Sequence, residues 1–291
     1  MKRTDIEFTS GGLTCRGWHY RAAGAAPRPC VVMAHGLAAV KKMGLDRYAE
    51  RYAAEGYDVV VFDYRHFGAS DGVPRRLIDI RRQLDDYHAA IAFARALPDA
   101  DGLIVIWGSS LSGGHVMAIA VEDASLAAVI SQGPHTDAIA SSFAGGIAHG
   151  MRLSLHAIWD LAGSLVGRAP HRVPAVGSPG ELSIMNAPEA IEYLELVPAG
   201  ETFEGDVPAR FLPRLSTYSP GRRLLRAKAP TLVQVALRDQ TTPPNAAIAA
   251  AKAAPAATLN TCDTGHFALY VGDDFERFVA DQLAFLKERL G

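Results

Sequence analysis

Short, continuous apolar runs alternate along this chain with segments whose apolar residues recur every three or four positions. That alternation predicts buried strands joined by crossover helices, the pattern of an α/β protein with a mostly parallel central sheet flanked by helices. The first run is Cys30-Val31-Val32-Met33-Ala34, followed by a helical stretch from Met43 to Glu55 and the run Asp58 to Phe62. The clearest helix comes next. Ile80, Leu84, Tyr87, Ile91 and Ala94 step by four, three, four and three, tracing one apolar stripe that Pro98 closes. Leu103 to Trp107 reads as a central strand, because strands covered on both faces are apolar throughout. A turn at Gly108 to Gly114, a helix to about Glu122 and a strand from Ala127 to Ser131 complete this half. Ahead of it, Ile6–Phe8 and Leu13–His19 predict an antiparallel edge pair turning at Gly11-Gly12.

Between Gly133 and Ala229 the alternation stops. A helical pattern covers Ile147 to Leu165, a Pro/Gly-rich section runs from Ala169 to Gly180, and a second helical piece lies around Pro188 to Leu196. Alternation resumes with the strand Thr231–Ala236, a helix from Asn245 to Ala254, the strand Ala257–Cys262 and a terminal helix from Phe275 to Leu290. A structureless connection of that length is improbable in a compact protein. The chain is therefore expected to divide into a core, residues 1–132 and 230–291, and a largely helical cap or lid inserted over 133–229.

Composition narrows the function classes. At 291 residues, 49% of them hydrophobic and 21% charged, the chain can bury one large core. With 29 basic and 31 acidic side chains, the formal charge of -2 gives no electrostatic reason to expect nucleic acid or an anionic membrane as partner. Cys15, Cys30 and Cys262 are too few and too dispersed for a disulfide framework or a structural zinc site. The N-terminal Met1 to Glu7 has no apolar stretch behind its positive charge, and no apolar window is long enough to span a bilayer. A cytoplasmic protein is expected.

Three motifs lie just past strand ends, where open α/β sheets place their sites. The first is Gly108-Ser109-Ser110-Leu111-Ser112-Gly113, a strand running through Gly-x-Ser straight into a helix. So tight a turn demands small neighbours, and the helix start offers unpaired N–H groups to a developing negative charge. The second is Leu237-Arg238-Asp239-Gln240 and the third Asp263-Thr264-Gly265-His266-Phe267. A serine hydroxyl needs an imidazole to take its proton, and the imidazole needs a carboxylate to fix its tautomer. Ser110, His266 and Asp239 can fill those roles, as nucleophile, base and orienting acid. Ser109 and Ser112 rival Ser110, but a strand ending at Trp107 puts the apex two residues past Gly108. Asp137 rivals Asp239 from the loop after the preceding strand and reads better as a pocket or capping residue.

In the chain order Ser110, Asp239, His266 the three residues resemble the catalytic triad of the α/β-hydrolase superfamily, and the resemblance covers the chain outside 133–229. Ala34-His35-Gly36-Leu37 resembles the family's His-Gly oxyanion loop, which implies backbone donors at Leu37 and Leu111. Asp63 to Gly72 resembles the superfamily's Asp-x-Arg-x-x-Gly-x-Ser loop, whose role is structural. The elbow departs from Gly-x-Ser-x-Gly, with Ser112 in the last place and Gly113 after it. That spacing is similar to the prolyl dipeptidyl peptidase and cocaine esterase branch, with Leu111 where the branch has Tyr.

The resemblance implies a serine hydrolase that cleaves a small-to-medium carboxylic ester or thioester through an acyl-enzyme on Ser110, without metal or cofactor. Acyl transfer and polyketide-type cyclisation use the same triad and stand as alternatives, and a non-catalytic binding protein on the same scaffold is a more distant one. The expected partner is a small-molecule acyl substrate. A homodimer is an option that nothing in the sequence decides. His35 is expected to hold the oxyanion loop close to the substrate; His135, near the site's mouth, either lines the pocket or does not, and His149, His156 and Trp159, which share a helical pattern, either face the substrate or pack within the cap. His115 is read as a packing residue.

Overall fold

The computed structural model describes residues 2–24, 26–143 and 145–290. The chain begins with strands β1 (Lys2–Ser10), β2 (Leu13–Arg21) and β3 (Arg28–Ala34), then helix α1 (Leu45–Ala54) and β4 (Asp58–Phe62). Helix α2 (Ile80–Arg95), β5 (Ala100–Ser109), α3 (Leu111–Glu122) and β6 (Ala128–Gln132) follow. After the intervening segment come β9 (Thr231–Ala236), α7 (Pro244–Ala253), β10 (Ala257–Cys262) and α8 (Gly272–Leu290). Eight strands form one sheet in the order β1-β2-β4-β3-β5-β6-β9-β10. β1 pairs antiparallel with β2 and β2 with β4, while every other neighbour pair is parallel. β4, β6 and β9 are buried along their whole length, which is why they read as unbroken apolar runs.

The expected α/β architecture is thus the observed one, with element ends shifted by a few residues. The stripe on α2 is buried at Ile80, Tyr87, Ile91 and Ala94, and its N-terminus is capped by Asp79, whose carboxylate accepts from Arg82 N at 3.1 Å. Cys15, Cys30 and Cys262 are free and buried. Two layers of apolar side chains, one on each face of the sheet, hold the helices down.

From β6 to β9 the chain runs through α4 (Ala138–Phe143) and α5 (Ile147–Leu165), then a two-stranded ribbon of β7 (Arg172–Pro174) and β8 (Asp206–Pro208), and α6 (Leu212–Leu215). Pro188–Leu196 and Pro220–Arg226 form 3-10 helices. Periodicity locates α5 to the residue, whereas β7 and β8, at three residues each, are too short to show alternation. The Pro188 piece is tighter than an α-helix. Ala190 and Tyr193, three apart, line up on its buried face, as a three-residue turn requires.

Beneath the C-terminal ends of the central strands lies a buried polar network. Gln282 of α8 donates from Nε2 to Gln132 Oε1 (2.8 Å) and Gln234 Oε1 (2.6 Å), and its Oε1 accepts from Tyr52 OH (2.9 Å) and Trp107 Nε1 (3.1 Å). Gln132 passes the chain on to Ser109 Oγ at 3.3 Å, which also accepts from Tyr270 OH at 2.6 Å. Replacing Gln282 by Leu keeps the volume and strands at least two buried donors. Each costs about 1–3 kcal/mol, so Gln282→Leu should lose roughly 3 kcal/mol in urea unfolding. A change within about 0.5 kcal/mol, typical of a surface site, would show the network to be dispensable.

Candidate active site

The elbow between β5 and α3 forces Ser110 to φ 59° and ψ −122°, a conformation that a non-glycine residue holds only where the surroundings impose it. Those surroundings are backbone. Ser110 N donates to Gln132 O at 2.9 Å, and Ser110 O accepts from His135 N at 2.9 Å. The turn closes so tightly that a Cβ on Gly108 would lie 2.2 Å from Ser112 O. Ser110 stays 8% exposed at the foot of the cavity, whereas Ser109 and Ser112 are sealed. Ser109 belongs to the glutamine network, and Ser112 Oγ pairs with Tyr64 OH at 2.9 Å. The two rivals are structural.

Asp239 and His266 meet at the ends of β9 and β10, with Nδ1 of the imidazole 2.5 Å from Oδ2 of the carboxylate and both side chains buried. Asp239 is held by its own loop. Its Oδ1 accepts from Thr241 N (2.8 Å) and Thr242 N (2.6 Å), and its Oδ2 from Thr242 Oγ1 (2.7 Å). Burial disfavours the imidazolium, but the charge of Asp239, its hydrogen bond and the more distant Glu189 outweigh it, so the pKa of His266 is raised. Ser110 and His266 line one small cavity together with His35, Gly36 and Leu37.

The loop after β3 lies directly on the serine. A Cβ at Gly36 would sit 3.0 Å from Ser110 Cβ and 3.6 Å from its Oγ. Leu37 O accepts from Tyr193 OH at 3.0 Å, and Leu111 opens α3, where N–H groups lack an intrahelical acceptor. Farther along the same loop, Lys41 is held by Asp63, just past β4, whose Oδ1 accepts from Lys41 N (2.7 Å) and whose Oδ2 accepts from Lys41 Nζ (2.6 Å) and Ala69 N (3.1 Å). The Asp63-to-Gly72 motif therefore ties the oxyanion loop down, in agreement with a structural role.

The remaining histidines separate clearly. His35 is buried against Tyr64 with Nδ1 3.0 Å from Gly36 O, and burial lowers its pKa. It lines the small cavity and not the large one. His135 lines the large cavity, stacked on Tyr218 and held at 3.0 Å by both Tyr218 O and Ser141 Oγ. His115 is buried between Gln83 and Tyr218, and its pKa is pushed down to about 3 by burial. His149 lines the large cavity, whereas His156 stacks on His171 and stays outside it. Trp159 does not contribute. It is 61% exposed on the outer side of α5, with Arg168 over its ring, because α5 turns a different set of side chains inward. Asp137 caps α4 through Ile139 N and Ala140 N and pairs with Arg222, so it is a cap and not a second acid.

Glu189, which accepts from His266 N and from the acid loop, carries no signal in the sequence. It sits on the second helical piece of the segment, where Glu192 and Glu195 look the same in sequence.

Above Ser110 opens a cavity of about 740 Å³, within the range of small-molecule sites. Ser110, Leu37, Leu111 and His135 form its floor, and α5 supplies Leu153, Leu155, Ala157 and Ile158. No Asp, Glu, Lys or Arg lines it among the described residues.

Residues 18–174 match the family model described as X-Pro dipeptidyl-peptidase (S15 family). The quorum-quenching protein AidA of Acinetobacter baumannii is 44% identical over 285 residues, covering 97% of this chain and 94% of the relative. The polyketide transferase ATR5 of Stachybotrys chlorohalonatus is 30% identical over 300 residues, covering 100% and 98%. The crystal structure of the α/β-hydrolase GrgF from Penicillium sp. sh18 superposes with a TM-score of 0.86 at 26% identity, covering 99% of both chains.

With its pKa raised, protonated His266 adds stability that is complete below the unfolded value and fades as pH rises through the folded value. In an NMR titration of the imidazoles, His266 should titrate above the ordinary value of about 6.5 and fall below it in Asp239→Asn, where burial remains and the charge is gone. A wild-type value at or below the ordinary one would contradict this electrostatic account.

Proposed function

We propose, for a chain that belongs to the X-Pro dipeptidyl-peptidase (S15) family of α/β-hydrolases, a serine esterase or thioesterase acting on uncharged, apolar acyl groups. In this reading Ser110 Oγ attacks the acyl carbon while His266 Nε2 takes its proton. Asp239 accepts from Nδ1–H and stabilises the imidazolium as it forms. The oxyanion is held by the backbone N–H groups of Leu37 and Leu111. His266 then protonates the leaving alcohol or thiol. Water, deprotonated by the same imidazole, resolves the acyl-enzyme to a carboxylic acid.

One observation carries the substrate class: the cavity over Ser110 offers no charged side chain among the described residues. Taking a dipeptide from a peptide's N-terminus requires the site to hold an ammonium group, and burying that charge without a partner is costly. Leu, Ile and Met side chains suit an acyl chain instead. Residues 133–229 serve as the cap that supplies this surface. The likeness to a polyketide transferase over the whole chain supports a second reading, in which an alcohol or amine replaces water. Three buried free thiols fit work in the cytoplasm, and among the described residues no helix is long and apolar enough to cross a membrane.

A panel of p-nitrophenyl esters and acyl thioesters of increasing chain length, run beside Gly-Pro p-nitroanilide, tests the reading. Ester or thioester turnover should rise with acyl length up to a medium chain, and Ser110→Ala should lower it by about 10⁴-fold or more. Comparable hydrolysis of the anilide would overturn the substrate class, and undiminished turnover by Ser110→Ala would overturn the mechanism. Added alcohol that diverts the acyl group into a new ester would favour transfer.

A further inference from the structure

We propose that Glu189, on the 3-10 helix Pro188–Leu196, is a positioning residue of the site, joining the acid loop to the base loop and holding a second carboxylate behind the His266 imidazole. The inference rests on the proposed roles of Asp239 and His266. Glu189 is nearly buried, at 9% exposure, and both of its oxygens are committed. Oε1 accepts from Gln240 N at 2.7 Å and from Thr241 Oγ1 at 3.1 Å, in the loop after β9. Oε2 accepts from His266 N at 3.1 Å, in the loop after β10. One carboxylate from the inserted segment therefore grips the residue after the acid and the backbone of the base itself.

A second feature of the base loop fits this contact. A Cβ on Gly265 would lie 2.9 Å from Glu189 Oε2, so the residue beside the base leaves room for the carboxylate. Four residues on, Tyr193 holds the carbonyl of Leu37, so the same 3-10 helix touches the base, acid and oxyanion loops.

The electrostatic consequence has a definite sign. The charges acting on His266 are Asp239, from its own side of the site, and Glu189, from the insertion. Tyr270 and His35 share the small cavity with it. Burial pushes the Tyr270 phenol up to about 12 and lowers the pKa of His35, so both are neutral near pH 7. Glu192, on the same 3-10 helix, has its pKa raised by partial burial and by Glu189. A carboxylate beside the base favours the imidazolium, the form reached in the transition state.

Glu189→Gln keeps the shape, removes the charge and turns an NH2 toward a backbone donor. Gly265→Ala keeps the charge and crowds the carboxylate away. Both variants should lower the pKa of His266 in an NMR titration and shift the acid limb of kcat/KM to lower pH. Glu189→Gln should also cut kcat roughly 10- to 100-fold, with KM little changed because Glu189 does not line the large cavity. Activities are referred to sites counted by fluorophosphonate labelling of Ser110, so a loss of folded protein does not mimic the effect. Should Glu189→Gln fail to fold, Gly265→Ala carries the same titration. An unshifted His266 and a wild-type kcat per labelled site would overturn the inference and leave the triad standing. A wild-type protein that takes no label would instead remove the catalytic reading, while the imidazole titration still decides whether Glu189 acts on His266.

Discussion

Burying a carboxylate against an imidazole strips both of water, and the pair is favourable only if every remaining lone pair and proton finds a partner. The Asp239 side of the contact meets that condition by recruiting its surroundings. Two backbone N–H groups and a threonine hydroxyl occupy the rest of Asp239, and a carboxylate from the insertion holds the backbone of His266. The loops after β9 and β10 must therefore keep one register, which their adjacent parallel strands set residue by residue. The insertion is drawn in by the same need, since its 3-10 helix carries the group that spans them.

The serine imposes the complementary constraint. Ser110 reaches the cavity floor with a positive-φ backbone, and that strain persists only because the sheet behind it is rigid. Gln132 ends β6, Gln234 lies on β9 and Gln282 on α8, and together they tie three elements to the floor of the elbow through direct hydrogen bonds. The oxyanion loop is fixed from two other directions, by Lys41 on Asp63 and by Tyr193 on Leu37. A rigid floor and an apolar roof suit a reaction in which charge develops at one point.

The parts of this design that the sequence declares are those governed by periodicity and by strand-end position. β4 and β9 are delimited to the residue, because strands inside the sheet are continuous apolar runs bounded by polar turns; β10, at the sheet's edge, is delimited as well although Thr258, Asn260 and Thr261 interrupt its run. Ser110, Asp239 and His266 sit at such ends, and the structure brings Asp239 to His266 and Ser110 beside His266. What escaped was set by tertiary contact. Glu189 is one of three glutamates on the helical piece from Pro188 to Leu196, and only the fold distinguishes it. Trp159 suggested a substrate contact by its chemistry, but a helix wheel does not reveal which of two apolar sides faces the cavity, and on α5 both are apolar. The short β7–β8 ribbon had no pattern to detect.

Whether Ser110 alone is an activated nucleophile is decided, without knowledge of the substrate, by intact-mass spectrometry after fluorophosphonate treatment. One adduct per chain is expected, mapped to Ser110 and absent from Ser110→Ala. An adduct on Ser109 or Ser112, or one that persists in Ser110→Ala, would contradict it.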